Sequence, residues 1–215
     1  MRWSELTILA AAACLGFGAT ATAQDLVRER IYPSSAPAAS IEFMGVQIGS
    51  ELVAECRAET AAGLAEFYRM TQADAPCWMS QTGRPGSQEA PRNVDSLPLL
   101  IVRDKRPEGT NAVRALVIDG RVEGLWVDTD GFVHQARLLE QLTRKLGTPT
   151  KREESEVTAG SGATFTAVSA FWVAPNLNVI FKGLAGRIDE GYISVSSDIG
   201  SKHLEAKAAS NLKTF

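Results

Sequence analysis

The chain has 215 residues, with 22 Lys and Arg against 25 Asp and Glu and a formal net charge of −3. Apolar residues make up 45% and charged residues 22%, an ordinary globular balance that excludes a collagen-like, coiled-coil or wholly disordered chain. The near-neutral charge also argues against nucleic acid as a partner, because such proteins carry a strongly basic face.

Residues 1–23 read as a secretory signal peptide. Arg2 supplies a short positive region, Leu6 to Ala19 an apolar stretch, and Ala21-Thr22-Ala23 a small-x-small cleavage pattern that leaves Gln24 as the mature N-terminus. A membrane anchor is the competing reading, but the apolar run is short for a hydrocarbon layer about 30 Å thick. Cys14 raises the question of a lipid-bearing cysteine, yet Ala11-Ala12-Ala13 precede it where a Leu is wanted. No later run is apolar enough to suggest a transmembrane segment, so the expected location is periplasmic or secreted. Cleavage leaves two cysteines, Cys56 and Cys77. In an oxidising compartment two cysteines most simply pair, closing a loop of about 22 residues worth roughly 3 kcal/mol by chain entropy. A redox role is the alternative, but there is no Cys-x-x-Cys spacing.

Residues 24–40 are small, uncharged and Pro-containing around Tyr32 to Ser40, and read as a linker. A domain is expected over 41–200 and a tail over 201–215. Phe43, Val46 and Ile48 mark a short extended entry. Ser50 suits an N-cap, Glu51 a first turn, and Leu52, Val53, Cys56, Leu64, Phe67 and Tyr68 recur at roughly helical spacing, so a helix is expected over about 50–70. The Gly- and Pro-rich stretch 71–97 reads as loop. Strands are expected at 99–102, 113–118 and 121–127, the last two joined by Asp119-Gly120, whose positions both favour positive φ. Strict alternation groups Val122 with Trp126 on one face and Arg121, Glu123, Leu125 and Val127 on the other. A helix over 131–146 follows from Phe132, Gln135, Leu138, Leu139, Leu142 and Leu146, with Asp130 as N-cap, Gly147 as C-cap and Pro149 beyond it. Residues 150–162 read as a charged, then Gly-rich loop. Strands at 164–173, 177–182 and 191–197 complete the domain, and the tail from Lys202 suits a loose amphipathic helix.

Helix plus three strands at 50–128, then again at 131–197, predicts an α+β fold: two helix-plus-three-strand units forming one antiparallel sheet with helices packed on one face. This layout resembles the secreted β-lactamase inhibitor proteins. The segments Gly45-Val46-Gln47-Ile48-Gly49-Ser50 and Leu142-Thr143-Arg144-Lys145-Leu146-Gly147-Thr148-Pro149 are similar to those of small outer-membrane assembly lipoproteins of the SmpA/OmlA kind, in which such an entry leads into a helix. The resemblance spans about 43–197. It implies a binding role rather than chemistry and carries over no functional residue.

Catalytic signatures are absent from the sequence. His134 and His203 stand apart, with no His-x-x-x-His and no cysteine cluster, so no metal or other cofactor is implied. Asp128-Thr129-Asp130-Gly131 opens like a calcium loop, but Val133 and Leu139 occupy the places that demand Gly and Glu. Gly160-Ser161-Gly162 lacks the Lys-Ser/Thr of a phosphate cradle and the elbow of a serine nucleophile. The remaining candidates are aromatic. Trp78, Trp126 and Trp172 form the candidate binding surface, with Phe132, Phe171 and Tyr192 as the other aromatics of interest. Core burial is the competing reading for Trp126 and Trp172, while Trp78, in a polar loop beside Cys77, is the one expected to be exposed. The leading expectation is a non-catalytic periplasmic protein-interaction module of inhibitor, immunity or envelope-assembly type, whose partner is another protein of the cell envelope. The alternative is a small hydrolase or small-ligand carrier with a site assembled from distant residues.

Overall fold

A computed structural model of the chain describes residues 41–56, 75–79, 89–160 and 162–212. The expected signal peptide (1–23) and linker (24–40) lie outside the described residues, as does most of the helix expected over 50–70. A hairpin of β1 (Glu42–Phe43) and β2 (Val46–Gln47) comes first. β3 (Cys77–Trp78), β4 (Val94–Leu100), β5 (Thr110–Ile118) and β6 (Arg121–Thr129) follow, then α1 (Phe132–Leu146). β7 (Lys151–Thr158), β8 (Thr164–Ala174), β9 (Leu177–Lys182), β10 (Gly191–Ser196) and α2 (Asp198–Leu212) complete the described elements. Strands β3 to β10 form one antiparallel sheet in the order β3-β4-β5-β6-β10-β9-β8-β7.

The pleat sorts the side chains onto two faces. Leu99, Val113, Val127, Ile193, Phe181 and Ala170 lie in register across six strands, and all six are buried. α1 covers this face with Gln135, Leu138 and Leu142, and Phe43, Val46 and Ile48 of the β1–β2 region join the same cluster. Each such aliphatic side chain contributes about 1.5–3 kcal/mol by leaving water. The adjacent row, Pro98, Arg114, Trp126, Ser194, Ile180 and Phe171, points to the opposite face, where none of the six is buried. α2 crosses one end of that second face. Asn178 Nδ2 donates to Ser201 Oγ (2.9 Å), and the hydroxyls of Ser196 and Ser201 are 2.8 Å apart.

Several local expectations meet their elements. Asp119 and Gly120 have φ of 50° and 78°, the paired positive values of a type I′ turn. α1 ends at Gly147, whose φ is 82° and whose N–H donates to Thr143 O.

The division into two helix-plus-three-strand units is overturned. Among the described residues the fold is a single eight-stranded antiparallel sheet with a separate two-stranded hairpin. Its two described helices lie on opposite faces, only α1 over the apolar one. Residues 50–56 are extended, not helical. Gly49 N–H and Leu52 N–H donate to Val122 O and Gly120 O, and Val122 N–H donates to Ser50 O, so strand-like pairing takes the donors a helix would use. Ser50 Oγ bonds Gln47 O instead of capping a helix.

Alternation along β6 is also corrected. The register with β5 slips between Leu116 and Val117, and this bulge at Glu123 returns Val122 to the buried face beside Leu125 and Val127, away from Trp126. The charged stretch 151–158 is strand β7, exposed along its whole length. Lys, Arg and Glu suit an edge strand because they discourage pairing with other chains. Part of the stretch expected as loop over 71–97 is strand, at β3 and the start of β4. Gly131, not Asp130, is the N-cap of α1. Its φ is +62°, and a Cβ there would stand 2.3 Å from Ile188 O, so the chain enters the helix through a conformation and a gap that only Gly fits. Asp130 Oδ1 instead accepts from Asn111 Nδ2 (2.6 Å). The helix expected in the tail begins four residues earlier, inside the expected domain.

Candidate functional site

The three tryptophans separate by face. Trp78 is 3% exposed and Trp172 5%, so neither belongs to a binding surface. Trp78 follows Cys77 in β3 and pairs with Leu99, so when Cys77 turns away from the core, Trp78 turns into it. Trp172 lies on the α1 side of β8, where its Nε1 donates to Gly147 O (2.8 Å). Trp126 is on the other side of the sheet and is 38% exposed. The Sγ atoms of Cys56 and Cys77 are at bonding distance, with Cα atoms 4.9 Å apart. They pack with Leu100 and Met79 in a small cluster apart from the main core.

Around Trp126 the open face forms a cleft of about 690 Å³, lined by parts of β4, β5, β6 and β10 and by the loop before β10. Trp126 stacks on Tyr192 with ring centroids 4.1 Å apart and planes 20° from parallel. The two residues are diagonal neighbours, since Trp126 pairs with Ser194 and Tyr192 with Asp128. Such cross-strand aromatic contacts contribute about 0.5–1.5 kcal/mol beyond their burial. Asp128 braces the stack. Its Oδ1 accepts from Trp126 Nε1 (2.8 Å), and both its oxygens accept from Arg114 Nη2 (2.6 Å each). Arg114 Nε is buried with no hydrogen-bond partner among the described residues.

The other carboxylates of the cleft also have cationic neighbours. Asp95 bonds His203 Nε2 (2.7 Å) and Lys207 Nζ, both on α2. The hydrogen bond from Lys207, helped by His203, holds the Asp95 carboxyl below its ordinary pKa. Asp189 accepts two hydrogen bonds from Arg187, which lower its pKa too, and Glu190 lies 3.5 Å from the same guanidinium. Burial pushes the Tyr192 phenol above its ordinary value, so at neutral pH its hydroxyl is a donor as well as an acceptor.

The carboxylates are tied to cations and the exposed rings are held in place. His134 is not part of the cleft. It packs against Gly109, where an added Cβ would meet the imidazole at 2.2 Å, and its Nε2 lies 3.8 Å from Asp130. Among the described residues no three His, Cys, Asp or Glu side chains are grouped to hold a metal ion, and no helix is long and apolar enough to cross a membrane.

Sequence reasoning singled out Trp126, but named Tyr192 only among the other aromatics and weighed Asp128 only as a calcium ligand. It passed over Arg114. The available signal was the period of two in β6, which puts Trp126 and Asp128 on one face, together with a lone Arg114 between the apolar Val113 and Ala115 in β5. Comparison with protein-family models, with curated proteins and with solved structures finds no match to this chain.

Proposed function

We propose that this protein is an exported, non-catalytic binding module whose receptive surface is the open sheet face around Trp126 and Tyr192. The observation that carries this reading is the stacked pair itself. Trp126 is held by an Asp128–Arg114 brace and stacks on Tyr192 in the lining of a cleft, on the face that α1 leaves uncovered. Preorganised aromatic side chains supply contact area at small entropic cost, which is why they dominate recognition surfaces. Export is supported by the leader-like residues 1–23 and by the Cys56–Cys77 pair at bonding distance, since such pairs persist in oxidising compartments.

A second reading places a protein of the cell envelope on α2, next to the cleft. Exposed Ile199 and Leu204 on that helix favour it. One experiment separates the two. Wild-type, Trp126→Ala and Ile199→Asp/Leu204→Asp proteins are immobilised and exposed to solubilised cell envelope, and retained material is identified by mass spectrometry. The cleft reading requires retention that survives the α2 changes and is lost with Trp126→Ala in a variant of unchanged circular dichroism. Retention indifferent to Trp126 would sink it.

A further inference from the structure

We infer that the cleft beside the Trp126–Tyr192 stack takes an uncharged saccharide. The inference rests on the reading of the open face as the receptive surface, and it adds the chemical class of what is received.

The first argument is shape. At about 690 Å³ the cleft falls within the range of small-molecule sites, about 300–1,000 Å³. Its strand-borne lining is set by cross-strand register, which suits repeated binding of one rigid ring geometry.

The second argument is the aromatic pair. Trp126 and Tyr192 cover one face of each other, and both line the cleft. A π face attracts the weakly positive C–H groups that a pyranose presents on its flat side, by the same quadrupole that orders aromatic pairs.

The third argument is the charge balance. Asp128 is paired with Arg114 and Asp95 with Lys207 and His203, while Asp189 and Glu190 share the single guanidinium of Arg187, so the cleft has no surplus of positive charge. No lining cation is left over to select a phosphate or a carboxylate, so nucleotides and acidic peptides find no ionic partner. What remains are neutral hydrogen-bonding groups that suit hydroxyls, which donate and accept at once. Ser96 and Tyr192 offer hydroxyls, and Asn111 keeps its carbonyl oxygen while its amide holds Asp130. Arg114 Nε is buried and lacks a partner among the described residues, and a buried donor left unmade is costly.

The test uses the full exported chain with its cysteines oxidised. Tetrasaccharides of N-acetylglucosamine, of β-linked glucose and of α-linked glucose are titrated at up to millimolar concentration, read by calorimetry and tryptophan fluorescence. The expected result is saturable binding of at least one of them, weakened about tenfold or more by Trp126→Ala, the worth of a stacked ring by truncation. Val133→Ala, far exposed on α1, leaves the affinity unchanged. Tyr192→Phe keeps the ring and loses only the hydroxyl, so it weakens binding less than Trp126→Ala. Raising the salt concentration leaves the affinity within about twofold, because no exposed ion pair is made. Failure of all three sugars to bind, or salt-sensitive binding of inorganic phosphate or heparin in the same cleft, overturns the inference. If no sugar binds while envelope material is still lost with Trp126→Ala, the saccharide is wrong and the receptive face stands. If neither depends on Trp126, both fall.

Discussion

Gln135 is the one polar side chain in the apolar stripe of α1, and replacing it by Met measures how α1 is fastened to the sheet. Its carboxamide bridges helix and strand. Nε2 donates to Thr166 O (2.9 Å), and Oε1 accepts from Val168 N–H (2.8 Å). Met has a similar length and no branch, so it fills the site without pressing on Gly183, whose Cα is so close that an added Cβ would stand 1.9 Å from Gln135 Oε1. The volume change is small and the cavity cost is small with it. Thr166 is exposed and its carbonyl regains water. Val168 is 7% exposed, and its N–H is left without an acceptor, a loss of about 1–3 kcal/mol. Gln135→Met is therefore expected to cost about 2 kcal/mol. For a domain of this size that lowers Tm by about 4–8 °C. The assay is urea unfolding with the slope m compared between the two proteins, backed by hydrogen exchange at the Val168 amide. A loss below about 0.5 kcal/mol with Val168 still protected would show that the bridge contributes nothing to holding α1, and the reasoning fails.

Reducing the Cys56–Cys77 bond is expected to cost about 3 kcal/mol for a loop of this length, seen as a lower urea midpoint in the presence of reductant; an unchanged midpoint refutes the staple, as do free thiols at both positions in material taken from the envelope. Gly131→Ala places a side chain at positive φ against Ile188 O and is expected to cost about 2 kcal/mol or more, whereas a Tm equal to that of wild type contradicts the strained entry to α1. Asp95 has its folded pKa below the ordinary 3.8 through Lys207 and His203, so the attachment it gives α2 is fully present above 3.8 and is lost as the pH falls through the lowered value. Amide chemical shifts of α2 should move toward coil values in that acid window and already at neutral pH in Asp95→Asn; an α2 indifferent to both would show that this exposed cluster does not hold the helix.

Where a short stretch of chain decides its own conformation, the sequence was readable. The Asp119-Gly120 turn follows from the φ preferences of two residues, the span of α1 from apolar spacing and Gly147, and the strands expected at 164–173, 177–182 and 191–197 from β-branched and aromatic runs. The pairing of Cys56 with Cys77 needed only the count of cysteines and an oxidising address. Other features depend on partners distant in sequence. Residues 50–56 have helical spacing, yet Gly120 and Val122 take their hydrogen bonds. Lys151 to Thr158 reads as loop until β8 offers it a full ladder of partners. One extra residue at Glu123 moves Val122 to the other face, and no local propensity reports where a bulge will fall.

The candidate site lies wholly in this second class. Strand propensity settles that Trp126 stands on one side of β6, but not which side faces α1. That choice is made by burying the larger apolar set, Leu125 and Val127 with Val122, and Trp126 is left on the open face by exclusion. Only the assembled sheet brings Tyr192, Asp128 and Arg114 to it. The sequence by itself thus determined the Asp119-Gly120 turn, α1 and the strands with local β propensity, because those energies are local. Which residues share a face, and therefore what the protein can bind, was decided by cross-strand register and burial, because those energies exist only once distant segments meet.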